Sequence, residues 1–73
     1  SDISVIKSLV IHIIKTNPNQ IDDYLRAEEA KRSKMLGYFV GQVMKDSKGQ
    51  ANPKQVNKIL RGQLNKLVNN IEL

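Results

Sequence analysis

The sequence predicts an all-α domain, a small bundle of three to four helices, from three observations. Aliphatic residues recur at three- and four-residue spacing through most of the chain, the period of an amphipathic helix. The two prolines each sit in an Asn-Pro-x-Gln-aliphatic pentad, at 17–21 and 52–56, and each pentad reads as a helix start. The chain of 73 residues leaves room for one domain with a small core, marginal unless its helices pack well. With no cysteine, neither a disulfide framework nor a thiolate metal site is available to stabilise it.

The first helix is expected over residues 3–15. Val5, Leu9 and Ile13 follow at four-residue spacing with Ile6, Val10 and Ile14 beside them, a broad apolar face suited to more than one neighbour. The second starts at Pro18 and turns Ile21 and Leu25 inward. Asn17 at its N-cap accepts a hydrogen bond from an otherwise unpaired backbone N–H. Pro18 has no N–H to lose and a preset φ, and Gln20 is placed to reach back to the cap.

The third helix is expected over 32–46, where Met35/Leu36, Phe39/Val40 and Val43/Met44 form three apolar pairs. Gly37 and Gly41 share that four-residue spacing, and mid-helix glycine costs about 1 kcal/mol against alanine. Close approach of a neighbouring helix is the expected reason, with a ligand backbone as the other. Residues 47–51 then form a loop in which Gly49 is free to take positive φ. The fourth helix, about 53–69, repeats the cap with Asn52, Pro53 and Gln55, and Ala51 with Val56 makes a hydrophobic staple. Val56, Ile59/Leu60, Leu64 and Leu67/Val68 are its buried stripe, and Gly62 weakens it without ending it. The core should include Leu9, Ile13, Ile21, Leu36, Phe39, Val40, Val43, Leu60 and Leu64.

Charge is unevenly distributed. Residues 1–30 carry three basic side chains (Lys7, Lys15, Arg26) against five acids (Asp2, Asp22, Asp23, Glu28, Glu29), a net of −2. Residues 31–73 carry nine basic side chains against Asp46 and Glu72, a net of +7. Such a skew points to a polyanion partner for the C-terminal part, with nucleic acid the usual candidate.

Catalytic constellations are absent. His12 is the only histidine, set between Ile11 and Ile13, and is expected at a helix surface or core edge. Asp22-Asp23 and Glu28-Glu29 belong to ordinary solvated helix faces. There is no phosphate loop, dinucleotide fingerprint or zinc spacing. The longest apolar run, residues 9–14, is interrupted by His12 and falls far short of a membrane span. The first residues lack the positive stretch and small-residue cleavage site of a signal peptide, as an excised domain or a short soluble protein would.

A basic surface remains. Lys54, Lys58 and Arg61 follow i, i+4, i+7 and share one face of the fourth helix, with Asn57 and Asn65 near it. Lys45 and Lys48 flank the loop that leads into that helix. These five are the candidate polyanion-binding residues, and the loop backbone and helix N-terminus are expected to add N–H groups for a phosphate. Cations on a helix face contact phosphates without reading sequence. Only Tyr24, Tyr38 and Phe39 are aromatic, so base stacking and base-specific readout are disfavoured.

The run Leu36-Gly37-Tyr38-Phe39-Val40-Gly41-Gln42-Val43-Met44-Lys45, followed by Lys48-Gly49-Gln50-Ala51-Asn52-Pro53 and an amphipathic helix, closely resembles the ending of the GatB/YqeY family. The Asn17–Tyr24 stretch, Asn-Pro-x-Gln-aliphatic-x-Asp-Tyr, belongs to the same pattern, and the likeness covers residues 16–64. The resemblance implies a helical tail that is not itself an enzyme and that binds tRNA, Lys45, Lys48, Lys54, Lys58 and Arg61 being the residues expected to contact it. It also implies a longer parent chain, of which residues 1–73 would be one domain near the C-terminus. In such a parent, a larger N-terminal domain uses ATP and magnesium to activate misacylated Glu-tRNA(Gln) or Asp-tRNA(Asn). Partner A and C subunits complete the amidotransferase, ammonia coming from glutamine, in the cytoplasm or an organelle and without a membrane. No cofactor is expected in the tail. A free-standing YqeY-like protein or a protein-interaction module is the other reading of the same helical end.

Three departures from the family pattern carry structural expectations. Gln50 stands where the family has a second lysine. The glycine usually found between the middle helices is missing, and about three extra residues occupy 27–32, so the break between helices two and three is expected to be shifted or smoothed away. The first helix matches only in character.

Overall fold

The computed structural model describes residues 2–72; Ser1 and Leu73, at the edges of the expected 1–73 domain, lie outside the described residues. Those residues form four helices, α1 (Ile3–Thr16), α2 (Pro18–Arg26), α3 (Glu29–Asp46) and α4 (Pro53–Glu72), and no strand. The radius of gyration is 11.7 Å, close to the about 11 Å of a folded chain this long.

Each junction has its own chemistry. Asp2 caps α1, its Oδ1 accepting from the Ser4 backbone N–H and hydroxyl at 2.9 Å each. The backbone bond above all holds the Asp2 carboxyl below the usual aspartate range. At the α1–α2 junction Asn17 does not cap α2 as expected. Its Nδ2 instead donates to the Ile13 carbonyl at 2.8 Å, and its Oδ1 accepts from the Tyr38 hydroxyl at 3.1 Å. With one residue between the helices, the same asparagine cannot turn forward to α2 while closing the last turn of α1.

The break between α2 and α3 is sharp. Ala27 and Glu28 are both extended, with φ/ψ of −76/152 and −73/162. No glycine is needed, because Arg32 reaches back from α3 to the end of α2. Its Nε donates to the Tyr24 carbonyl at 2.9 Å and its Nη2 to the Leu25 carbonyl at 2.8 Å. The guanidinium also lies 5.7 Å from the Tyr24 ring centroid. One planar fork thereby bonds two carbonyls at the end of α2, that of Tyr24 shared with the Ala27 N–H at 3.3 Å.

α3 ends in a paired-bond cap: the Gly49 N–H donates to Met44 O at 2.8 Å and the Lys48 N–H to Lys45 O at 3.0 Å. Gly49 takes the expected positive φ, 75°, and Lys48 joins it at 56°. α4 carries the cap expected of it, with Asn52 Oδ1 accepting from the Lys54 and Gln55 N–H groups at 2.9 and 3.2 Å.

α1, α3 and α4 pack on one another, and α2 lies against α3 and α1. Of the expected core, Ile13, Ile21, Phe39, Val43, Leu60 and Leu64 are buried, while Leu9, Leu36 and Val40 are half-buried against them. Side chains such as Phe39, Leu60 and Leu64, each with essentially no exposure, contribute about 1.5–3 kcal/mol apiece.

On α1 the buried stripe is Ile6, Val10 and Ile13, and Val5 is 55% exposed. Strict four-residue spacing drifts about 40° per step around a helix, whereas i, i+4, i+7 stays on one face. Tyr24 is also buried, edge-on to Phe39 at 5.9 Å, and Tyr38 meets the same ring at 5.4 Å.

The two glycines of α3 do not mark helix packing. Both are exposed, and a Cβ built on either would meet nothing within 4 Å. Each lies two positions from buried Phe39, about 200° around the helix, so their stripe faces away from the bundle.

Candidate nucleic-acid interface

α4 buries Val56, Leu60, Leu64 and Val68. That stripe leaves the opposite arc of the helix to Lys54, Lys58, Arg61 and Asn65, all exposed. Lys54, Lys58 and Arg61, together with Asn57 and Asn65, line a groove of about 690 Å³ whose far wall is Val40 of α3. The three cations expected on one face are thus gathered in one depression, and no carboxylate lines it. The sole ion pair among the described residues is Arg26 with Asp22, 3.1 Å apart on the exposed face of α2. The groove cations therefore form no ion pair among the described residues and present their charge to solvent.

Lys45 and Lys48 are exposed too, but they lie outside this groove. Lys45 is in the last turn of α3 and Lys48 in its left-handed cap. The structure brings three of the five candidates together and leaves two on the adjoining corner.

The expected backbone contribution is not there. At the start of α4, Pro53 has no N–H, the Lys54 and Gln55 N–H groups are bound by Asn52 Oδ1, and the Val56 N–H by Asn52 O at 2.9 Å. In the loop, the Lys48, Gly49 and Gln50 N–H groups bond to Lys45, Met44 and Ser47 carbonyls, and the Ala51 N–H to Ser47 Oγ at 3.2 Å. The local caps that make the turn so tight also consume the donors a phosphate would need. Anion recognition here falls to side chains.

Two residues missed by the spacing argument stand beside the cations. Lys7 of α1 and Lys66 of α4 line a second depression, between α1 and α4, that also includes Lys58. Lys58, Gly62 and Lys66 are four apart, a signal present in the sequence; the approach of Lys7 comes from packing alone. Elsewhere the chemistry is plain. His12 is exposed on α1, and among the described residues no His, Asp or Glu cluster could hold a metal ion. No helix among them is long and apolar enough to cross a membrane.

The sequence pattern of the GatB domain family matches residues 1–64, the first helix included. Among curated relatives, the B subunit of the aspartyl/glutamyl-tRNA(Asn/Gln) amidotransferase of Cellvibrio japonicus is 49% identical over 65 residues, 89% of this chain and 14% of that protein. The corresponding proteins of Teredinibacter turnerae and Hahella chejuensis are each 52% identical over 64 residues, 88% of this chain and 13% of theirs. The chain thus spans about a seventh of the length of the relatives it matches. No solved structure matches it.

Proposed function

The chain belongs to the GatB domain family, and from that premise we propose that it is the tRNA-contacting, non-catalytic tail of an amidotransferase B subunit. The cationic groove on α4 carries this reading: Lys54, Lys58 and Arg61 line one depression with no carboxylate among its walls. Its relatives are named for a reaction on tRNA, whose phosphates are the natural counter-charge for such a groove. In this reading the tail holds the tRNA while a larger domain of the same polypeptide carries the ATP- and magnesium-dependent step. That step converts misacylated Glu-tRNA(Gln) or Asp-tRNA(Asn) to the amide. The A and C subunits are reached through that larger domain.

Side-chain contacts to phosphates, with no backbone donors to fix register, give weak, shape-directed binding. The isolated chain should bind tRNA no tighter than about 10⁻⁴–10⁻⁶ M, and affinity should fall as salt rises. The test is tRNA titration at several salt concentrations. Lys54→Ala/Lys58→Ala should lower the salt slope by about two, one for each phosphate no longer neutralised. Lys15→Ala/Lys31→Ala, charge-matched but outside the groove, should do much less. Lys7 is not a fair control, because it shares a depression with Lys58. Equal losses from both pairs would mean diffuse attraction, and no loss from the first pair would return this face to ordinary solvated surface.

A further inference from the structure

The cationic groove does not end at Arg61. Asn57, Arg61 and Asn65, at i, i+4 and i+8 along α4, also line a second, more recessed cavity of about 350 Å³ between α4 and the start of α3. The two are one groove with divided chemistry. The outer section is cationic. The inner section is walled by Glu29, Ser33 and the Tyr24 edge, over half-buried Leu36 and buried Val68.

The outer section has three cations and no carboxylate, whereas in the inner section Glu29 stands against Arg32 and Arg61, which weakens the pull on a second phosphate. Neutral hydroxyls suit it well. Glu29 is an acceptor only, and Asn65 offers both a donor and an acceptor. Neither the Asn57 nor the Asn65 carboxamide makes a side-chain hydrogen bond among the described residues. Ser33 Oγ donates to the Glu29 carbonyl at 3.4 Å, which leaves its lone pairs free. Arg32, its guanidinium fixed on the Tyr24 and Leu25 carbonyls, makes that end of the cavity rigid.

We propose that the inner cavity takes one ribose of the bound RNA, its phosphate held at Arg61 and its 2′-hydroxyl at Asn65 and Ser33. This rests on the tRNA-binding reading and adds to it a means of telling RNA from DNA, which that hydroxyl provides. No base is read: Tyr24 and Phe39 are buried, and Tyr38, though exposed, is held by the Asn17 oxygen and edge-on to Phe39.

The experiment compares the 73-residue chain binding a tRNA transcript and the all-deoxy strand of the same sequence. Wild type should favour RNA. Asn65→Ala/Ser33→Ala, neutral and on the surface, should weaken RNA binding about five- to a hundredfold, the range of two missing hydrogen bonds. It should leave the salt slope unchanged and weaken deoxy binding less than RNA binding, so the RNA-to-DNA ratio falls toward one. Arg61→Ala should weaken both strands alike. If wild type and the double variant show the same ratio, the ribose site is wrong while tRNA binding stands. If neither strand binds, both readings fail together.

Discussion

Replacing Gly37 and Gly41 by alanine should stabilise the fold. Glycine in a helix interior costs about 0.5–1 kcal/mol against alanine, through the backbone entropy it loses on folding. That gain is realised only where the new methyl group meets no obstacle, and here a Cβ at either position has nothing within 4 Å. Neither glycine has a positive φ to which alanine would object. The two are one turn apart and share no partner, so their effects should nearly add, to about 1–2 kcal/mol. A chain of 73 residues unfolds with an entropy of about 0.15 kcal/mol/K, so each kcal/mol raises Tm by about 6 °C. Thermal melting followed by far-UV circular dichroism should show the double variant about 6–13 °C above wild type, with each single variant near half of that. An unchanged or lowered Tm would refute the reasoning, because it would require something packed against a stripe that the fold leaves open. Paired with tRNA titration the same variants say more. If the glycines admit a phosphate backbone from outside, affinity should drop while stability rises.

Two further substitutions probe the junctions. Arg32→Ala removes both bonds to the end of α2 and should cost about 2 kcal/mol in urea unfolding, since bonds from a charged donor are worth about 1.5–3 kcal/mol but water can reach the freed carbonyls. Arg32→Lys should recover less than half, because a point ammonium cannot reproduce the fork; full recovery would mean that charge, not geometry, closes α2. Lys48→Gly relieves a left-handed backbone that costs a side-chain-bearing residue about 1–2 kcal/mol, offset by glycine's own entropy. Its stability should therefore equal or slightly exceed wild type, while Lys48→Ala should not gain. If Lys48 contacts tRNA, both variants should lower the salt slope by about one. An equal slope in all three proteins would remove Lys48 from the interface.

Helix number, type and order were legible in the sequence because they depend on local features. Apolar period, two Asn-Pro starts and one turn glycine are enough to place α1, α2 and α4. What was not legible depended on partners distant in sequence. Asn17 and Asn52 sit in matching pentads, yet one caps backward and the other forward. The difference lies in a single linker residue and in Tyr38, which waits 21 positions away to hold the Asn17 oxygen. The α2–α3 break, expected to be shifted or smoothed away without its glycine, is sharp. Arg32, which the sequence shows only as one more cation, is the cap; this commits its Nε and one Nη2 donor to the Tyr24 and Leu25 carbonyls while its charge stays in place.

The same division between local and distant explains the candidate site. Lys54, Lys58 and Arg61 could be grouped in advance, since helical spacing alone fixes a shared face and solvent-facing charges need no tertiary partner. The N–H groups of the loop and of α4 could not be judged that way, because a backbone donor is available only if no nearer acceptor takes it. In this turn Val43, Met44, Lys45, Ser47 and Asn52 take those of residues 47–51 and 54–56. The consequence is functional. A surface whose anion contacts come only from lysine and arginine tips can follow a phosphate backbone without fixing its register. Any selectivity must then come from the rigid wall beside it, where α3 begins and Arg32 is already pinned.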